Sequence, residues 1–124
     1  MIGYVTLGTN DLARAASFYD SLFAVIGGAR MMDEDTFVAW ATTEGAPSVA
    51  VSKPFDGQPA TVGNGVMVAL QVDSAEMVGK LHAKAIELGG ADEGAPGPRG
   101  DDGFYAGYFR DLDGNKLNAF CMVQ

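Results

Sequence analysis

RDLDGNKLNAFCM, residues 110–122, opens as a tight turn and runs on as a strand. Its Asp, Gly and Asn residues supply the side-chain hydrogen bonds and positive φ that such a turn needs. The apolar residues that follow have the pattern of a strand packed on one side. One residue is out of place: Asn118 sits inside the apolar run, and a buried amide must find partners or cost roughly 1 to 3 kcal/mol. Alternation with period 2 puts Leu117 and Ala119 on the face that packs, and leaves Asn118 and Phe120 on the other.

Outward from that strand, GFYAGYFR (103–110) reads as its hairpin partner, with no parity assigned to it. Further upstream VMVALQVD (66–73) reads as a strand, with Val68 and Leu70 packed and Met67, Ala69 and Gln71 opposite. SAEMVGKLHAKAIELGG (74–90) places Met77, Val78, Leu81, Ala85 and Leu88 on one helical face, and the Glu76 and Lys80 pair suits its solvated side.

The first half repeats this order. YVTLG (4–8) is a strand with Val5 and Leu7 packed and Tyr4 and Thr6 on the free face. In NDLARAASFYDSLFAVIGG (10–28) the spacing predicts a helix burying Leu12, Ala15, Ala16, Tyr19, Leu22, Phe23 and Ile26, capped by Asn10 or Asp11 and stopped by Gly27 and Gly28. TFVAWATT (36–43) and PSVAVSK (47–53) supply further strands. The sequence GGA recurs at 27–29 and 89–91, and the first strands overlie at an offset that matches Tyr4 with Met67. The chain is therefore a duplication: an α+β fold of two β-α-β-β-β modules, about 1–60 and 64–124, expected as one domain over 1–124. Its strands should form a curved, mainly antiparallel sheet around a cleft, with the helices on the outer face. Tyr4, Thr6, Ala50, Met67, Gln71, Asn118 and Phe120 are expected to line the cleft, with Phe37, Trp40, Tyr105 and Tyr108 as further candidates.

Composition narrows the function. A charge of −8 with only eight Lys and Arg is the opposite of what a phosphate backbone requires, so no nucleic-acid partner is expected. The acidic surface reads first as one that keeps the protein dispersed in water, and only second as a field for a cationic ligand. No apolar run approaches the ~20 residues of a membrane span and the N-terminus has no signal-like pattern, which makes a cytoplasmic location the expectation. Cys121, the single cysteine, fits a small core residue, and His82, the single histidine, lies on the second helix away from the cleft face. GAPGPRGDDG (94–103) lacks the strand-to-helix context of a phosphate loop and reads as a flexible lid or edge loop, in which Arg99 is either a clamp for an anion or a solvated charge. Asp111, Asp113 and Asn115 have a spacing better explained by the hairpin turn than by calcium.

VTLGTNDLARAASFYDSLF (5–23), FRDLDGNKLNAFC (109–121) and the duplicated unit together resemble the vicinal oxygen chelate superfamily, which includes glyoxalase I, bleomycin resistance proteins, fosfomycin resistance enzymes and extradiol dioxygenases. The resemblance covers the whole chain, with Leu112 in place of the proline in the family's Asp-Pro-Asp-Gly-Asn turn. It implies a homodimer with clefts shared between subunits and, in the enzymes, a divalent metal held by His and Glu. Carried over, the ligand places are Tyr4, Ala50, Met67 and Asn118, and none is a His or a carboxylate. The expectation is a protein with no metal or other cofactor that binds a small organic, apolar or aromatic molecule. Two alternatives stand beside it: a glyoxalase- or dioxygenase-like enzyme with a relocated metal or with Tyr4 as acid or base, and a non-catalytic interaction module with a filled cleft.

Overall fold

A computed structural model describes residues 1–124. The elements run β1 (Tyr4–Gly8), α1 (Leu12–Ala24), β2 (Ala29–Asp33), β3 (Phe37–Ala41), β4 (Ser48–Ser52), β5 (Val68–Gln71), α2 (Ala75–Glu87), β6 (Ala91–Pro98), β7 (Phe104–Arg110) and β8 (Lys116–Met122). They form two four-stranded sheets, ordered β1-β4-β3-β2 and β5-β8-β7-β6. In each the first strand pairs in parallel with the last, and the other pairings are antiparallel. The duplication read from the sequence is thus a duplication of topology, and its strands divide into two sheets.

Local chemistry sets the helix ends. Asp11, of the two candidates, caps α1 by accepting from the Arg14 N–H, and Ser74 caps α2 by accepting from the Met77 N–H. At the stop of α1, Gly27 takes φ +78° and the Gly28 N–H donates to the Phe23 carbonyl, which turns the chain into β2. The outer face of α2 carries the Glu76–Lys80 pair at 3.1 Å.

Each helix packs on one face of its sheet, and the buried side chains of both units join in a single core. Leu7, Val51, Val38 and Trp40 pack beneath α1, as Leu117, Ala119, Cys121 and Phe109 do beneath α2. Full burial of a Leu or Phe side chain contributes about 1.5–3 kcal/mol, so these rows fix which face of each sheet is left free. Tyr19 is the hub of the first unit, its ring centroid 5.1 Å from Phe23 and 5.5 Å from Trp40.

Two expectations change here. Trp40, only 2% exposed, belongs to the core, where its indole N–H donates to Asp20 Oδ1; Tyr105 also packs on the helix side. Residues 94–98, read as loop, continue the edge strand β6. Gly and Pro conceal a strand from propensity, while an edge position with register shifts tolerates them.

The turn at 111–115 ties the units together. Asp111 Oδ2 accepts from the Tyr19 hydroxyl at 2.6 Å and from Asn115 Nδ2, and Asp111 Oδ1 accepts from the Asp113 and Asn115 N–H groups. Asn115 Nδ2 also donates to the Gly8 carbonyl, and Asp113 accepts from the Asn10 N–H. Burial, reinforced by the Asp111 charge, pushes the Tyr19 hydroxyl well above its ordinary pKa. Asp111, and Asp113 through Oδ1, thus hold one repeat against the other, while Asp113 Oδ2 is buried without a partner.

Candidate functional site

The free faces of the two sheets are related position by position. In the first, Thr6, Ala50 and Ala39 lie abreast; in the second, Ala69, Asn118 and Tyr108 do. Ala50 and Asn118 are therefore equivalent, as the sequence reading places them. The register also settles β7: Phe104, Ala106 and Tyr108 share the face of Asn118 and Phe120.

On the first face Tyr4 is 61% exposed and meets Phe37 edge to face at 6.2 Å between centroids. A cavity of about 900 Å3 lies beside it, lined by Thr6, Gly8, Met32, Phe37, Lys53 and Phe55 among others. The segment over this cavity is fastened by Asn10, whose side chain donates to the Ala60 carbonyl and accepts from the Ala60 N–H.

The second face is aromatic and basic. Phe104 stacks on Phe120 with centroids 5.4 Å apart, and Arg99 and Lys116 both lie against the Tyr108 ring. Asn118 is 1% exposed, and its buried Oδ1 accepts a hydrogen bond from no group of the chain. Met67 and Gln71 are exposed at the free edge of β5, where they line a second cavity of about 540 Å3 with Ile2, Val5, Trp40 and Ser48. Thr6 thus lines the first cavity and Met67 and Gln71 the second, while Tyr4, Ala50, Asn118 and Phe120 line neither.

The donor set does not fit the divalent metal that the resemblance implies. A phenol, a methyl group, a thioether and a neutral amide stand at Tyr4, Ala50, Met67 and Asn118, where such an ion needs imidazole or carboxylate. The unpartnered Asn118 Oδ1 is a single neutral oxygen. Nowhere in the chain do three or more His, Cys, Asp or Glu side chains gather in a metal-holding group. His82 is engaged elsewhere: Nε2 lies 3.1 Å from both Asp92 Oδ1 and the Tyr108 carbonyl, two acceptors, so that nitrogen carries the proton and ties α2 to β6 and β7. The Gly94 N–H first, and His82 after it, holds the Asp92 carboxyl below its ordinary pKa. No helix is long and apolar enough to cross a membrane.

Sequence reasoning offers Tyr108 as a cleft candidate and Arg99 as an anion clamp, but it leaves Phe104 and Lys116 out of the site and does not bring Arg99 and Lys116 together on the Tyr108 ring. The signal for Phe104 and Tyr108 is their alternation with Phe109, the residue buried most completely in β7 together with Ala106. Nothing in the sequence announces that Arg99 folds back over the sheet.

Comparison with known proteins agrees with this architecture. A family model described as Glyoxalase/Bleomycin resistance protein/Dioxygenase superfamily matches residues 1–119. A glyoxalase/bleomycin resistance protein from Albidiferax ferrireducens T118 is 34% identical over 98% of each chain, with a TM-score of 0.89. Two more distant structures share the fold at 19% identity. A lactoylglutathione lyase from Agrobacterium tumefaciens has a TM-score of 0.71 over 98% of this chain and 92% of that one. TnmS3, an antibiotic binding protein from Streptomyces sp. CB03234, has a TM-score of 0.68 over 98% and 95%. None of the curated proteins matches the chain.

Proposed function

Because the chain belongs to the glyoxalase/bleomycin resistance protein/dioxygenase superfamily, we propose that it is a metal-free member that binds a small organic molecule, apolar or aromatic in character, on the free faces of its sheets. The observation that carries this reading is the replacement of every ligand place by a residue that cannot hold the ion, together with an aromatic face around a buried, unpartnered amide. Aromatic surface with a few polar handles is the usual makeup of an organic ligand site. Tyr4, Thr6 and Ala50 contribute from the first unit, and Met67, Gln71, Asn118 and Phe120 from the second.

A closed cleft needs two sheet faces set opposite one another, and a second copy of the chain would lay its faces against those of the first. β1 and β5 are end strands of their sheets, and Ile2, Tyr4, Val66 and Met67 are exposed large apolar residues along or beside them. Such edges call for cover. The protein is therefore a homodimer in this reading, with each cleft shared between chains.

A thermal-shift screen of neutral and charged aromatic compounds, paired with light scattering of the protein, tests the proposal. A dimer whose melting temperature rises with ligand concentration is the expected result, since binding to the folded state alone stabilises it by RT ln(1 + [L]/Kd). A monomer that no compound stabilises would refute it.

A further inference from the structure

We infer that the ligand taken by the second sheet's free face is an aromatic anion, such as an aromatic carboxylate that also carries a hydrogen-bond donor. This inference rests on the small-molecule reading above and assigns the chemical class of the ligand.

The chain's cations are unevenly satisfied. Of its eight Lys and Arg residues, Arg14, Arg30, Lys80, Lys84 and Arg110 each pair with a carboxylate. Only Lys53, Arg99 and Lys116 do not, and two of those three converge on one ring. The Arg99 guanidinium carbon lies 5.4 Å from the Tyr108 centroid and Lys116 Nζ lies 5.5 Å from it. In a protein of net charge −8 with twice as many acids as bases, two cations without carboxylates against a single ring make a local exception to the overall field.

Arg99 is held in place by the backbone. Its Nη2 donates to the Ala95 carbonyl at 2.6 Å, and Nη1 donates to the Gly97 carbonyl at 2.8 Å and the Pro98 carbonyl at 3.3 Å. The seat depends on missing side chains: a Cβ at Gly94 would lie 3.3 Å from both Arg99 Nη2 and the Tyr108 ring, and one at Gly97 would lie 3.3 Å from Nη1. Carbonyl oxygens orient a guanidinium without cancelling its charge, so Arg99 presents a preorganised positive charge. The Tyr108 ring attracts both cations through its quadrupole, yet two like charges against one ring still favour an anion nearby.

The rest of the face fits the rest of such a ligand. Tyr108 pairs directly with Asn118 across β7 and β8, and Ala106 with Phe120. The stacked Phe104 and Phe120 rings lie further along the same face and offer a surface for a flat ring system. Asn118 Oδ1, buried without a donor, lies between the charged and the aromatic parts, where a hydroxyl on the ligand would satisfy it.

The test compares three compounds of one shape, 6-hydroxy-2-naphthoate, its primary carboxamide and its aminomethyl analogue, titrated into the full-length protein by calorimetry. Side-chain amide resonances of Asn118 report where they bind. The naphthoate should bind about tenfold or more tightly than the amide, and the amine weakest, as expected of charge-assisted contacts in a partly shielded site. Lys116→Gln and Arg99→Gln should each reduce the acid-over-amide preference several-fold, whereas Lys80→Gln, the same charge change on the outer face of α2, should leave it intact. Amide or amine binding as tightly as the acid, with the Asn118 resonances shifted, would overturn the inference while leaving the small-molecule reading standing. An equal loss in Lys80→Gln would also overturn it, since the preference would then come from net charge. No shift at Asn118 and no heat with any of the three would defeat both.

Discussion

Replacing Asn118 with leucine should cost the free protein little or no stability while removing part of its binding site. The two side chains have the same number of heavy atoms and the same branching, although the Leu Cγ is tetrahedral where the amide carbon is planar. Asn118 is 1% exposed and its Oδ1 has no donor, a penalty of about 1–3 kcal/mol that an apolar side chain does not incur. Against this stands some overpacking beside Ala69 and Tyr108, the neighbours across both strands, for which a cost of about 1–3 kcal/mol is ordinary. The two nearly cancel, so the variant should stay within about 1 kcal/mol of the parent, or roughly 3–5 °C in melting temperature for a chain of this size. Asn118→Ala removes the same acceptor without adding volume and should be close to neutral. Thermal melts without ligand, followed by titration of an aromatic probe, make the assay. Loss of more than about 1.5 kcal/mol in both variants would refute the reasoning, because it would mean that the amide is already satisfied in the free protein.

Three further outcomes follow from the framework around the site. Tyr19→Phe removes the donor to Asp111 and should cost about 1.5–3 kcal/mol, the range for a hydrogen bond to a charged group, by urea melts at neutral pH. Since the Tyr19 pKa is raised in the fold, its contribution is fully present below the unfolded value near ~10 and is lost as pH climbs from there toward the folded value; the variant should lack that alkaline loss. The Arg30 hydrogen bond is the main cause holding the Asp20 carboxyl below its ordinary pKa. Its contribution is present above the unfolded value near ~3.9 and fades as pH falls through the folded value, so Arg30→Gln should lower the melting temperature at neutral pH and converge with the parent in acid. Ser74→Ala removes the cap of α2 and should cost about 1 kcal/mol in the same melts.

Much of the fold could be read from residues because the signals that define it are local. Helical spacing around Tyr19 and Leu81, the repeated GGA and the alternation in β8 each need only a few neighbours to interpret, and the free-face positions of Tyr4, Thr6, Ala50 and Asn118 follow from period 2. What escaped the sequence depends on long-range placement. Trp40 and Tyr105 are aromatic like Phe37 and Tyr108, and only strand register shows which pair turns inward. The bond from Tyr19 to Asp111 spans 92 residues, so neither partner signals the other. Arg99 owes its position to carbonyls of an edge strand whose Gly and Pro residues look like a loop.

The central claim, a family cleft given over to organic ligands without a metal, is tested most directly by the metal content of tag-free protein purified without chelator, with thermal melts in added Ni2+, Zn2+, Mn2+ and Fe2+. The account predicts far less than one equivalent of any metal and no shift with any ion. One equivalent of bound metal, or a melting temperature that climbs with the concentration of one ion as native-state binding requires, would contradict it.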